Sequence, residues 1–263
     1  MIVIKLGGGK GIESETLLEE LKVMKDWVLV HGASNEMNEL SEKLGHPARF
    51  VESVSGYTSR VTDRKTIEMI AMTAAGKINV GLVEKLQALG VNAVGLCGVD
   101  GRLLEGKRKD AIKIVEDGKK KVLRDDYTGT VEKVNTHLLN LLLTNGYSPV
   151  ITIPIISTEG EALNTDGDRI AAAVAGALKA DALVILSNVD GLLEDPDKPS
   201  TRIKSIPRAE LDKFTRFAKD RMKKKMLGAN EALESGVGKV AFGNANNPMP
   251  VTAALSGSGT VIS

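Results

Sequence analysis

A three-layer αβα sandwich, with helices covering both faces of a mainly parallel sheet, is predicted by three features of the sequence. Short continuous apolar runs alternate with helix-type segments along most of the chain, the pattern of strands buried on both sides. Two of those runs stop on small-residue turns, "VIKLGGG" and "VLVHGAS", at the strand ends where open parallel sheets bind ligands. At 263 residues and 42% apolar composition, the chain can bury a sizeable core as one domain or as two lobes sharing a sheet.

Taken in order, "IVIKL" (2–6) is a strand, followed by a helix near 13–25, the strand "WVLVHG" (27–32) and a helix over about 35–44. A long helix starts beside Asp63 in "TDRKTIEMI" and runs towards Leu89. "NAVGLCG" (92–98) and "PVITIP" (149–154) read as buried strands. Between them, "DAIKIVEDGKKKVLRDD" (110–126) alternates on both sides of Asp117-Gly118 and predicts a β-hairpin excursion. The later part repeats the α/β logic: a helix after "NTDGD", the strand "ALVILS" (182–187), a helix near 220–235 and the strand "KVAFG" (239–243). "EDPDKPS" (194–200) is a surface loop within the domain.

Aromatic residues make up only 3%, so packing falls to Val, Ile, Leu and Ala. A net charge of +1 gives no global reason for nucleic-acid or membrane binding, which leaves recognition to local patches. The lone Cys97 excludes an internal disulfide framework and fits a reducing compartment. No unbroken apolar run reaches membrane-spanning length and the N-terminus lacks a cleavable leader pattern, so a cytoplasmic protein is expected.

The first glycine turn fails the P-loop pattern because Lys10 is followed by Gly11, and fails G-x-G-x-x-G because Ile12 replaces the last glycine. What remains is exposed backbone N–H at a sheet edge, suited to an anion. Lys5 alternates with its apolar neighbours and must face the interior, either paired with a carboxylate or aimed at a phosphate beside the glycines. His31 reads as a packed, hydrogen-bonded residue in preference to a base. Asn164, Asp166 and Asp168 stand at alternate positions before a small-residue helix, more polar groups than one N-cap needs. Lys223, Lys224 and Lys225 point in successive directions around a helix, so one or two at most can face a site.

In order and spacing, "VIKLGG", "VHG", "SGYTSRVTD" (55–63), "LNTDGDRIAAAVAGALKAD", "LVILSNVDGLL", "MKKKMLGANEAL" and "GSGTVI" (257–262) resemble the amino acid kinase family, the group of acetylglutamate kinase and aspartokinase. The resemblance implies that family's fold, with one domain over 1–263: an N-terminal lobe of about 1–160 for substrate, carrier docking and dimerisation, and a C-terminal lobe of about 161–263 for ATP. It implies ATP and Mg²⁺, with the ion bridging phosphates and few protein ligands, and no dedicated metal site. Lys5 and Lys225 would neutralise the transferring phosphoryl group from opposite sides, with Asp168 orienting both and Lys223 and Lys224 facing elsewhere. Gly8, with the backbone of Ala33, would supply N–H donors, and Gly7 beside it would belong to the cofactor-binding turn. Ala33, Ser34, Arg60 and Asn164 would bind substrate, Arg60 clamping its α-carboxylate, while Ser187, Asn188, Asp190 and the "FGNA" turn (242–245) would hold the nucleoside. Two departures stand out: Ala33-Ser34 where the family carries glycines, and Asp220 where glycine is common. The Ala33 donor survives only if its φ stays negative.

Within the family, "EGKRKDAI", "EDGKKKVLRDDYTG", "SRVTD" and "RMKKK" resemble the kinases whose substrate, 2-aminoadipate or glutamate, is attached through its α-amino group to a small acidic amino-group carrier protein. That implies an acyl phosphate product in lysine or arginine biosynthesis and a homodimer; the local basic charge of "GKRK" (106–109) and Lys119, Lys120 and Lys121, in a chain of near-zero net charge, is expected to dock the carrier. The alternatives are a kinase of free N-acetyl-L-glutamate and a non-catalytic amino-acid-binding regulator. One methylene separates the two carrier-linked substrates, which leaves the choice between them open.

Overall fold

The computed structural model describes residues 1–116, 118–219 and 221–263; the first residue of the expected Asp117-Gly118 turn and the Asp220 departure lie outside them. Among the described residues, eight strands form one sheet: β1 (Ile2–Leu6), β2 (Trp27–His31), β3 (Ala93–Cys97), β4 (Ser148–Thr152), β5 (Ala182–Ser187), β6 (Ser205–Ile206), β7 (Lys239–Asn244) and β8 (Thr260–Ile262). Their spatial order is β6-β8-β7-β5-β1-β2-β4-β3, so the first strand lies in the middle and the sheet runs unbroken through both halves of the chain. All neighbours pair in parallel except β7 and β8.

Alternation along the central strands sorts their side chains onto two cores. Val3, Val28, Val30, Leu183 and Ile185 pack with α5 (Gly167–Ala177) and α6 (Arg221–Glu234). Ile4, Leu6, Leu29, Val184 and Leu186 pack on the other face with α1 (Glu15–Val23), the long helix α3 (Arg64–Ala88) and α7 (Pro250–Ala253). The remaining larger helices are α2 (Ser34–Lys43) and α4 (Thr136–Thr144). Lys5, two residues after Val3, therefore looks towards α5 and α6.

Helix α3 starts where expected, with Asp63 accepting from Thr66 N at 2.8 Å as its N-cap. Its central part, Ala71–Asn79, is wound as a π-helix. By length and composition α3 could cross a membrane, yet Ile67, Met69 and Ile70 are buried in the protein, and Lys77 and Lys85 pair with Glu36 and Glu15.

Two smaller sheets flank the main one. The hairpin forms as expected, Ile112–Glu116 against Lys119–Leu123, and joins Phe50–Ser53 and Thr58–Arg60 in an antiparallel sheet. The other contains Leu104–Arg108, Gly129–Val134, Ile155–Ser157 and Ala162–Leu163 and has no counterpart in the sequence reading, because its charged, half-exposed strands lack continuous apolar runs. One expectation needs correction. β3 is not a buried strand but an edge of the main sheet, with Gly95 exposed.

Candidate active site

The two small-residue turns meet at the carboxyl ends of β1 and β2. Gly8 O accepts from Asn35 N at 2.7 Å and from Ser34 Oγ at 2.8 Å, which stitches the first turn to the start of α2. A β-carbon on Gly8 would collide with the Gly32–Ala33 peptide, so only glycine permits this approach. The Gly7 N–H donates to Leu186 O at 2.9 Å. The N–H groups of Gly8 and Ala33, by contrast, have no acceptor among the described residues. Ala33 has φ −143°, the negative value its donor role requires. Ser34 spends its hydroxyl on Gly8 and so bears on this turn.

Beneath the turns, Lys5 and Lys225 converge on one carboxylate. Lys5 Nζ lies 2.8 Å from Asp168 Oδ1, and Lys225 Nζ lies 3.5 Å from Asp168 Oδ2. All three residues are less than a tenth exposed. Asp168 stands in the first turn of α5, whose N-cap Asp166 accepts from Asp168 N at 2.9 Å. Burial alone would raise the Asp168 carboxyl, but Lys225 and Lys5 together bring it down to about 2. Burial pulls the Lys225 ammonium down, opposed by the Asp168 charge. Two ammonium groups share one carboxylate, leaving a net positive, preorganised pocket under free amides. Such a pocket suits a polyanion whose charge moves during reaction.

The lysine run is divided differently from the expectation. Lys223 is exposed, but Lys224 does not turn away: its Nζ lies 3.4 Å from Asp166 Oδ2. Arg221, four residues before Lys225 on the same helix face, places Nη1 2.9 Å from where a β-carbon of Gly9 would stand. Arg221 opens the "RMKKK" stretch, but the three lysines carried the charge signal there and no role was assigned to it.

Thr62 links Arg60 and Asn164 on a second wall, its hydroxyl donating to Arg60 O at 3.2 Å. Asn164 donates to Thr62 Oγ1 at 3.0 Å, and Thr62 N donates to Asp126 Oδ2 at 2.8 Å. Arg60 donates one nitrogen to Asn38 Oδ1 and lies 4.8 Å from the Phe50 ring centroid. Its Nη1, Asp126 Oδ1 and Thr128 Oγ1 are buried and have no hydrogen-bond partner among the described residues. Asp126 and Thr128 were not singled out in the sequence, since a pair of aspartates at the end of a charged hairpin reads as solvated surface.

Farther along the sheet edge, Asp190 Oδ1 accepts from Asn244 Nδ2 at 3.2 Å and from Asn247 Nδ2 at 3.4 Å, while Ala245 N donates to Ser187 O at 2.7 Å. Asp190 lines an open cleft of about 410 Å³ with Arg202, Lys204, Asn247 and Ser258. Asn188 is exposed beside it. The cationic pair Arg202 and Lys204 lies outside every motif the sequence offered.

Residues 1–244 match the model of the amino acid kinase family. The chain is 55% identical over 267 aligned positions to the "[LysW]-aminoadipate kinase" of Deinococcus radiodurans, covering all of this chain and 91% of that protein. It is 50% identical to the "[LysW]-aminoadipate kinase" of Thermus thermophilus, covering the whole of both. Among solved structures, smu.665 from Streptococcus mutans superimposes with a TM-score of 0.75 at 24% identity, over all of this chain and 98% of that one.

Proposed function

The chain belongs to the amino acid kinase family, and from that premise we propose that it transfers the γ-phosphoryl group of ATP to the side-chain carboxylate of 2-aminoadipate or glutamate held by an acidic amino-group carrier protein. The observation that carries the proposal is the Lys5–Asp168–Lys225 cluster lying beneath the free amides of Gly8 and Ala33.

A carboxylate oxygen attacks the γ-phosphorus, its P–O bond to ADP breaks, and the products are an acyl phosphate and ADP. Anions are driven together, so positioning and charge neutralisation carry the catalysis. Lys5 and Lys225 bind the transferring group, the Gly8 and Ala33 amides donate to its oxygens, and Asp168 keeps both ammonium groups aimed. Arg60 takes the substrate's α-carboxylate, where a planar fork serves better than a lysine. Ser187, Asn188 and Asp190 hold the nucleoside, with Asp190 fixed by Asn244 and Asn247. No cluster of three or more metal-binding side chains occurs among the described residues, and Asp168 is engaged by two lysines. The residues therefore suit Mg²⁺ held chiefly by the nucleotide. Bound there, it supplies charge neutralisation on the phosphates.

The N-terminal part, about 1–160, supplies the substrate wall and carrier surface, and about 161–263 supplies the nucleotide site. The basic hairpin shares its sheet with Thr58–Arg60, so carrier docking there would deliver the substrate to Arg60. Lys119 and Lys120 are exposed, whereas Lys121 pairs with Glu116, and Arg108 pairs with Glu161 while covering the Tyr127 ring. The free charge for docking thus centres on Lys107, Lys109, Lys119 and Lys120. A homodimer would cover the exposed Met72 and Val80 of α3 beside edge strand β3. The reading places the enzyme in the cytoplasm with its substrates.

ADP release with carrier-linked aminoadipate, carrier-linked glutamate and free N-acetylglutamate tests the proposal. Turnover with a carrier-linked substrate at least tenfold above free N-acetylglutamate supports it. Preference for the free substrate, or no ADP release with any, contradicts it.

A further inference from the structure

His31 closes β2 immediately before the second turn, and both of its ring nitrogens are engaged inside the core. Nε2 lies 3.0 Å from Asn79 Nδ2, and that same nitrogen lies 2.9 Å from Val150 O. An amide NH₂ that gives one hydrogen to a carbonyl has its second for the imidazole. Nε2 is then the acceptor, and the ring proton sits on Nδ1. The opposite amide orientation would set Asn79 Oδ1 against the Val150 carbonyl, acceptor against acceptor. Nδ1, 3.3 Å from Gly32 O, is left to donate to that carbonyl.

Gly32 O and Ala33 N–H belong to one planar peptide and point in opposite directions. Fixing the oxygen on one side fixes the donor on the other, and the flat face of the same peptide packs against Gly8. We propose that His31, oriented by Asn79, is a positioning residue that locks the Gly32–Ala33 peptide plane so that Ala33 N–H is aimed at the transferring phosphoryl group. Burial first, and then the Lys5 charge, pushes the imidazolium pKa down to about 4, which keeps the ring neutral at ordinary pH.

The helix is built to deliver Asn79. It is the last residue of the π-wound part of α3, where wider turns displace side chains from regular α positions. Gly95 on β3 supplies the room, since a β-carbon there would collide with Asn79 Oδ1. Helix α3 is thereby tied to the peptide that carries the Ala33 donor.

This inference rests on reading the turns as the phosphoryl site, so the test carries its own control. His31→Asn places an amide nitrogen close to the Nδ1 position, and His31→Gln places one close to Nε2. In steady-state kinetics, His31→Asn is expected to keep kcat within about threefold. His31→Gln should lose about 100-fold in kcat, the scale of one misplaced donor, with a smaller change in KM for ATP. Equal losses in the two variants overturn the positioning role. Should either variant fail to fold, ¹⁵N NMR of the wild-type protein decides: an Nδ1-protonated, Nε2-bare His31 supports the proposal and the opposite tautomer overturns it. Lys5→Ala is assayed alongside. If it retains full turnover, the phosphoryl-site reading falls and this inference with it. If it is inactive while the Asn and Gln variants match, the positioning role alone falls.

Discussion

Lys5 on the first strand and Asp168 on α5 lie far apart in sequence yet form a 2.8 Å ion pair in the core, and Lys225 holds the other oxygen of the same carboxylate. The relationship follows from alternation: Lys5 shares the sheet face of Val3, and that face is covered by the two helices that carry Asp168 and Lys225. A buried arrangement of this kind is weak evidence for stability, because desolvation offsets much of the attraction. Its net positive charge is the feature useful to a polyanion.

Asp168→Asn should be costly in both respects. It leaves two buried ammonium groups without their shared counter-charge, so destabilisation of about 3–5 kcal/mol is expected. Catalysis should fall by at least about 100-fold because neither lysine stays aimed. Urea unfolding and steady-state kinetics read the two effects separately.

Stability should depend on pH through His31. Its folded pKa, about 4, lies below the ordinary histidine value of 6.5, so the unfolded chain binds the proton first as pH falls. The His31 contribution is thus complete above about pH 6.5 and lost progressively as pH drops towards 4. The two values correspond to roughly 3 kcal/mol. Urea midpoints across that window should show the slope in the wild type and a shallower one in His31→Asn.

Glu20 is buried in α1 and accepts from Val251 N at 2.7 Å, Thr252 N at 2.8 Å and Thr252 Oγ1 at 2.6 Å. It anchors the C-terminal helical segment α7. Glu20→Ala should lower stability by about 3 kcal/mol, since three donors lose a charged acceptor. The loss should appear in the denaturant midpoint and far less in kcat.

Lys119→Glu with Lys120→Glu should raise KM for a carrier-linked substrate several-fold at low salt and leave KM for ATP unchanged. Rim charges act on encounter more than on contact energy, so the difference should shrink as salt is added. An unchanged carrier KM at low salt would place docking elsewhere.

Much of the architecture was legible because apolar continuity is a strong signal: β1, β2, β5 and β7 occupy the stretches their Val, Ile and Leu runs announce. The Lys5–Asp168–Lys225 convergence was legible only through the family pattern, since residue types and spacing left Lys5 and the lysine run open to solvation or pairing. Elsewhere the sequence was silent for physical reasons. Gly7 and Gly8 looked alike in the turn, and no sequence shows that the Gly7 N–H is taken by Leu186 O. Lys224 pairs with Asp166 because α6 packs against the start of α5, a tertiary fact. Asn79 reaches His31 through a π-helical winding that leaves no mark in the periodicity of α3.

The most direct test of the central claim is hydroxylamine trapping of the acyl phosphate, with ADP measured in the same tube, for wild type, Lys5→Ala and Lys225→Ala. The account predicts hydroxamate and ADP in equal amounts from the wild type and a loss of at least about 100-fold in both variants. Undiminished hydroxamate from either variant would contradict it.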